Sequence, residues 1–189
     1  MKSPVIVAEI GCNHKGSVEI AKEMVKVAAE FVGADYVKFQ KRTNKELLSL
    51  EEYSSPHPNR KNSYGNTYGE HREFLEFSLE QHKEIKKTCE KLKIGYATSV
   101  WDLTSAAEIA SLKPDYIKIP SACNLNFELV DFLIKQYHGD LHVSLGMTSL
   151  REEVDILGRF EDQNATDRLV LYACTSGYPV PHKDVCLFV

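Results

Sequence analysis

The chain of 189 residues has little that would tie it to a membrane, a nucleic acid, a disulfide framework or a zinc site. It holds no apolar run of the roughly 18 residues that a membrane span needs. Its opening, MKSPVIVAEIG, is too short and too quickly acidic for a secretory signal. A cytoplasmic protein without a membrane partner is therefore expected. A formal charge of -4 and a pI near 6.0 leave no basic face to neutralise a phosphate backbone, so nucleic acid is not an expected partner. The five cysteines, Cys12, Cys89, Cys123, Cys174 and Cys186, are odd in number, widely spaced and without a CxxC pair. They read as reduced thiols, mostly small core residues. The seven histidines form no HExxH or other tight ligand spacing, so residue pattern alone gives no metal motif.

What is present is an ordinary globular composition, 43% hydrophobic and 26% charged, arranged in a strand and helix rhythm. Six short β-type runs begin at Val5, Tyr36, Gly95, Tyr116, Leu141 and Leu169. Helical patterns fill the intervals. The first has Ser17 as N-cap, a stripe of Ile20, Met24, Val27, Ala28 and Phe31, and Gly33 as its stop. The second pairs Ser78 with Gln81 in a capping box ahead of Ile85, Cys89 and Leu92. Asp102 caps a third, and Leu129, Leu133 and Tyr137 mark a fourth. Ser149 with Glu152 opens a fifth, with Leu150, Val154, Leu157 and Phe160 as its stripe. Residues 51–73, rich in Tyr, Ser, Pro, Asn and Gly, break the rhythm and read as either a binding loop or a solvated insertion.

Alternating strands and helices imply a parallel sheet, because parallel neighbours need a crossover and a helix supplies it. That leaves a closed barrel or an open doubly wound sheet. The first turn, GCNHKG, lacks the GxGxxG spacing of the open dinucleotide-binding version. The barrel is favoured by the polar residues at the strand ends, where barrel active sites lie. These are Glu9, then Lys38 with Gln40 on one strand face, then Thr98 and Ser99, Lys118, Ser144, and Thr175 with Ser176 and Tyr178. An ammonium on a buried strand is costly unless an anion compensates it. Lys38 and Lys118 thus point to a phosphate or carboxylate ligand, to a structural ion network with Glu9, or to Schiff-base chemistry.

At these positions the sequence resembles the N-acetylneuraminate (sialic acid) synthase family, which includes synthases of related nonulosonic acids and spore-coat polysaccharide proteins. The resemblance is carried by AEIGCNHKGS from Ala8, ADYVKFQ from Ala34, YGEHREFLEF from Tyr68, DYIKIPSA from Asp115, SLGMTS from Ser144 and CTSGYPVPHKDV from Cys174. It implies an α/β (β/α)8 TIM barrel of which residues 1–189 carry about six units. The implied activity is that of a transferase in which C3 of phosphoenolpyruvate attacks the aldehyde of an open-chain N-acetylmannosamine-type sugar. Water then adds at C2 and phosphate leaves, giving a 2-keto-3-deoxy sugar acid. By position, Lys38, Ser99, Lys118, Ser121, Ser144 and Ser176 would hold phosphoenolpyruvate, Glu9 would act as acid or base, and Gln40 and Tyr178 would face the sugar.

The resemblance also implies a divalent metal, Mn2+ or Mg2+, and a homodimer. Its metal-binding histidines belong to two further strands, and those strands and a small antifreeze-like domain lie beyond the residues present. A fragment or truncated product is therefore expected, with little unaided turnover. Two residues depart from the family: Ala173 stands where a histidine is common, and Cys123 where some members have a sugar-contacting glutamate. A non-catalytic anion-binding relative that needs another chain to complete its site and a Schiff-base lysine aldolase remain the alternatives.

Overall fold

The computed structural model describes residues 4–177 and 179–185. Its strands are β1 (Val7–Gly11), β2 (Tyr36–Lys41), β3 (Gly95–Val100), β4 (Tyr116–Ile119), β5 (Asp140–Ser144) and β6 (Leu169–Tyr172). They form one sheet in the order of the chain, and each pairs with the next in parallel. The sheet is not closed: β1 and β6 are its two edges among the described residues.

The principal crossover helices are α1 (Val18–Val27), α5 (Leu79–Leu92), α6 (Leu103–Ser111), α7 (Phe127–Gln136) and α8 (Leu150–Asp162). Their starts follow the capping chemistry of the sequence. The Ser17 and Asp102 side chains accept from Ile20 N and Ser105 N, and Ser78–Gln81 and Ser149–Glu152 form reciprocal capping boxes. Gly33, at φ +68, closes the π-type turn that extends α1. Outward-facing residues of the strands bury against these helices. Val37 and Phe39 meet Val25, Ala28 and Ile85, while Ile117, Ile119, Leu141 and Val143 meet Leu129, Leu133, Ile156 and Phe160.

Three expectations are corrected. Helix α1 buries Val18, Ala21 and Val25; of the expected stripe Ala28, in the turn after α1, is buried, whereas Ile20, Val27 and Phe31 are exposed. Helix α8 buries Ile156 and Phe160 but leaves Leu150 and Val154 exposed. These helices flank the two open edges of the sheet, so each carries a second apolar face that no described element covers. The segment 51–73 is not plain loop. It includes α3 (Leu50–Ser54), a 3-10 turn (Arg60–Asn62) and the start of α4 (Tyr68–Leu75), with a short α2 (Asn44–Leu47) before it. The overlooked signals were two further capping boxes, Ser49–Glu52 and Thr67–Glu70.

One strand position is set by space alone. Gly95 pairs with Tyr36, and a Cβ there would lie 2.1 Å from the tyrosine ring. Gly95→Ala is expected to destabilise the fold by about 1–3 kcal/mol through overpacking, read as a lower urea midpoint.

Candidate active site

The C-terminal ends of the strands surround a cavity of about 880 Å³, lined by residues of β1 to β5 and of the loops that follow β1, β3, β4, β5 and β6. A bulge in β1 sets its first wall. The register runs Glu9 opposite Lys38 and then Gly11 opposite Phe39, so Ile10 is skipped, and Gly11 sits at φ +55. Glu9 Oε2 therefore meets Lys38 Nζ at 2.7 Å, and the same ammonium donates to Ser99 Oγ at 2.9 Å. Lys38 is 4% exposed, whereas the Glu9 side chain is 59% exposed at the cavity rim. The structural ion network weighed above is thus present for one lysine.

The other lysine differs. Lys118, partly buried, donates to Ser144 Oγ at 2.5 Å, but among the described residues it is paired with no carboxylate. Burial first and the charge of Lys38 second push its pKa below the ordinary lysine value, partly opposed by Cys174 and Glu9. An ammonium set this way is short of negative charge, and an anion entering the cavity supplies it.

Further round, the hydroxyls of Ser121 and Ser176 converge on Gly146, whose backbone N–H donates to Ser121 Oγ at 3.2 Å. A Cβ at Gly146 would stand 2.6 Å from Ser121 Oγ and 2.8 Å from Ser176 Oγ, so glycine leaves both hydroxyls room. Asn124, buried, braces this turn by donating to the carbonyls of Ser144 and Gly146. Gln40 lines the cavity beside Gly11. The structure thus brings Glu9, Lys38, Gln40, Ser99, Lys118, Ser121, Ser144 and Ser176 to one space. Tyr178 lies outside the described residues. Thr98 points away and bonds the Tyr96 hydroxyl in the core. Trp101, Cys12, Asn13, Met147 and Cys174 also line the cavity and were not singled out from the sequence as ligand-facing.

Cys123 is buried, donates its S–H to the Trp101 carbonyl at 3.4 Å and is held at a pKa of about 11 by burial. It belongs to the core behind Trp101 and is not among the residues that line the cavity. His14, in the loop after β1, is 2% exposed and stacked on Phe77 at 3.9 Å. Among the described residues no group of three or more His, Cys, Asp or Glu is placed to hold a metal ion, so the residues present do not fit the divalent ion that the resemblance implies.

Burial lowers His14 to about 4, His82 to about 3 and His142 to about 4. Below the ordinary value of 6.5 the unfolded chain takes up protons at these sites and the folded chain does not. Stability is therefore full above pH 6.5 and is expected to fall progressively as pH drops toward 4. A series of urea melts across that window checks it.

The NeuB family model matches residues 24–189. The chain belongs to the NeuB family. Members similar to it include the N-acetylneuraminate-9-phosphate synthase of Drosophila melanogaster, 34% identical over 98% of this chain and 49% of that protein. The N,N'-diacetyllegionaminic acid synthase of Campylobacter jejuni is 30% identical over 99% of this chain and 56% of that protein. This NeuB chain thus spans about half the length of the curated relatives it matches. Its fold is similar to a crystal structure of the N-acetylneuraminic acid synthetase of Leptospira borgpetersenii in complex with citrate. The TM-score is 0.79 at 22% identity, covering 96% of this chain and 58% of that one. The six parallel strands with alternating helices are accordingly a barrel-like NeuB arrangement, here with an open sheet. No helix among the described residues is long and apolar enough to cross a membrane.

Proposed function

We propose that this chain carries the phosphoenolpyruvate half of a synthase that condenses that molecule with an N-acetylmannosamine-type sugar to give a nonulosonic acid and phosphate. The observation that carries the reading is the pair of unlike lysines on one cavity: Lys38 balanced by Glu9, Lys118 balanced by no acid among the described residues. A multiply charged anion answers that imbalance, and the hydroxyls of Ser99, Ser121, Ser144 and Ser176 add neutral donors around it. In the reaction the C3–aldehyde bond forms as the aldehyde oxygen takes a proton. Water then adds at C2, and the C2–O bond to phosphate breaks. Glu9, exposed at the rim and ion-paired with Lys38, is placed to hold or move a proton there, while Gln40 faces the space left for the sugar. The wider assignment is of residues 1–189 as part of a (β/α)8 barrel whose remaining units and divalent ion come from residues outside this sequence.

Calorimetric titration of the 189-residue chain with phosphoenolpyruvate, joined to a phosphate-release assay with N-acetylmannosamine and manganese, tests the reading. Saturable binding of phosphoenolpyruvate is expected, and its absence would overturn the proposal. Binding without phosphate release leaves an anion-binding half-site. A borohydride-trapped pyruvate adduct on Lys38 or Lys118 would replace it by Schiff-base chemistry.

A further inference from the structure

Beneath the cavity lies a polar aromatic layer that neither the family resemblance nor the proposed reaction uses. Tyr36, Tyr116 and His142 lie two residues before Lys38, Lys118 and Ser144, so strand alternation places them on the same inner face one layer down. Tyr172, on β6, reaches this layer with its hydroxyl, which meets His142. Its contacts run in sequence. The imidazole of His142 is stacked on Tyr116 at 3.8 Å and 7°, and its Nδ1 is 2.8 Å from the Tyr172 hydroxyl. The Tyr172 ring in turn lies under Lys118 Nζ, which is 5.4 Å from the ring centroid.

We infer that His142 and Tyr172 are positioning residues for Lys118: together they hold an aromatic face against an ammonium that has no carboxylate partner among the described residues, keeping it charged and directed at the anion. The inference rests on the phosphoenolpyruvate reading of the cavity and assigns that site its support. An aromatic face attracts a cation, more so when water is largely excluded, and it does so without neutralising the charge a ligand must meet. A carboxylate in the same place would pair with the lysine and compete with the incoming anion, as Glu9 does for Lys38. The ring is kept in place by its hydroxyl, because β6 is an edge strand and Val170 and Leu171 are exposed and pack little. His142 can serve as the tether because burial keeps it neutral down to about pH 4, so it adds no positive charge beside Lys118. The other groups facing that ammonium are Lys38, which lowers its pKa, and Glu9 and Cys174, which raise it.

The test uses the full 189-residue chain and two readouts: phosphoenolpyruvate affinity by calorimetry between pH 6.5 and about 10, and the titration of Lys118 followed by NMR of 13C-labelled lysine. In Tyr172→Leu the ring is lost, and affinity at pH 8 is expected to fall about five- to tenfold. The Lys118 midpoint should also move down by roughly half a unit or more, so that binding is lost at a lower pH as pH rises. Tyr172→Phe keeps the ring and should stay within about threefold of wild type. His142→Leu frees the ring and should fall between the two. If Tyr172→Leu does not fold, the Tyr172→Phe and His142→Leu pair decides by the same readouts. Unchanged Lys118 titration in both Leu variants overturns the inference even where phosphoenolpyruvate binds. Wild-type protein that binds no phosphoenolpyruvate overturns the site reading instead, and the lysine titration still reports whether the aromatic support is real.

Discussion

Lys118→Met is expected to weaken phosphoenolpyruvate binding by about two orders of magnitude or more while leaving the fold as stable as before, or slightly more so. Both halves follow from one asymmetry. In the free protein the Lys118 ammonium is partly buried against Ser144 and the Tyr172 ring with no carboxylate among the described residues to balance it. Removing such a charge and keeping the apolar stem relieves desolvation, which is why replacing buried charge with a well-packed apolar group is often neutral or stabilising. In the complex the same ammonium meets an anion, and truncating one partner of a buried charged hydrogen bond costs about 2–5 kcal/mol. Lys38→Met behaves differently. It strips Glu9 of its partner, but Glu9 is largely exposed and water takes over, so the stability change is small. The affinity loss is also smaller, because Glu9 already offsets part of the Lys38 charge. Titration calorimetry and urea melts on both variants check the contrast. Equal affinity losses, or a Lys118→Met protein that is much less stable, would show that the two lysines share one internal network.

How much of this was legible in the sequence depends on which force fixed each feature. Helix starts were readable because a capping side chain acts within three residues, and Ser17, Ser78, Asp102 and Ser149 all sit where their chemistry demands. The polar strand ends were readable because a period of two places Lys38 with Gln40 and puts Val37 and Phe39 on the helix side. The same rule, carried one step back from each lysine and from Ser144, would have found Tyr36, Tyr116 and His142, the layer below the site. The burial of α1 and α8 was not readable. Both helices are apolar on two faces, and only the position of β1 and β6 at the open edges decides which face meets the sheet. Nor was the unequal charge balance of the two lysines. It depends on the bulge that skips Ile10 and sets Glu9 opposite Lys38, a register detail without a sequence signature beyond Gly11.

Glu76→Gln is expected to be the most destabilising single change near the site, by about 3–5 kcal/mol, since it leaves a buried guanidinium without its counter-charge. Arg42 follows β2 and is 8% exposed. Its Nε donates to Glu76 Oε1 at 2.5 Å, its backbone N–H to Glu76 Oε2 at 3.0 Å, and its Nη2 to Cys12 Sγ at 2.9 Å. Its guanidinium also lies 5.9 Å from the Trp101 ring centroid. Cys12 and Trp101 are cavity walls, so one cation ties the β1 loop, the end of β3 and the end of α4 together. The loss should therefore appear in phosphoenolpyruvate affinity as well as in the urea midpoint. The double variant Arg42→Met with Glu76→Gln should recover part of the stability, because no unpaired charge remains, but not the affinity, because the walls are no longer tied. A cost below about 1 kcal/mol would mean that Arg42 is solvated and that Glu76 does not anchor the rim.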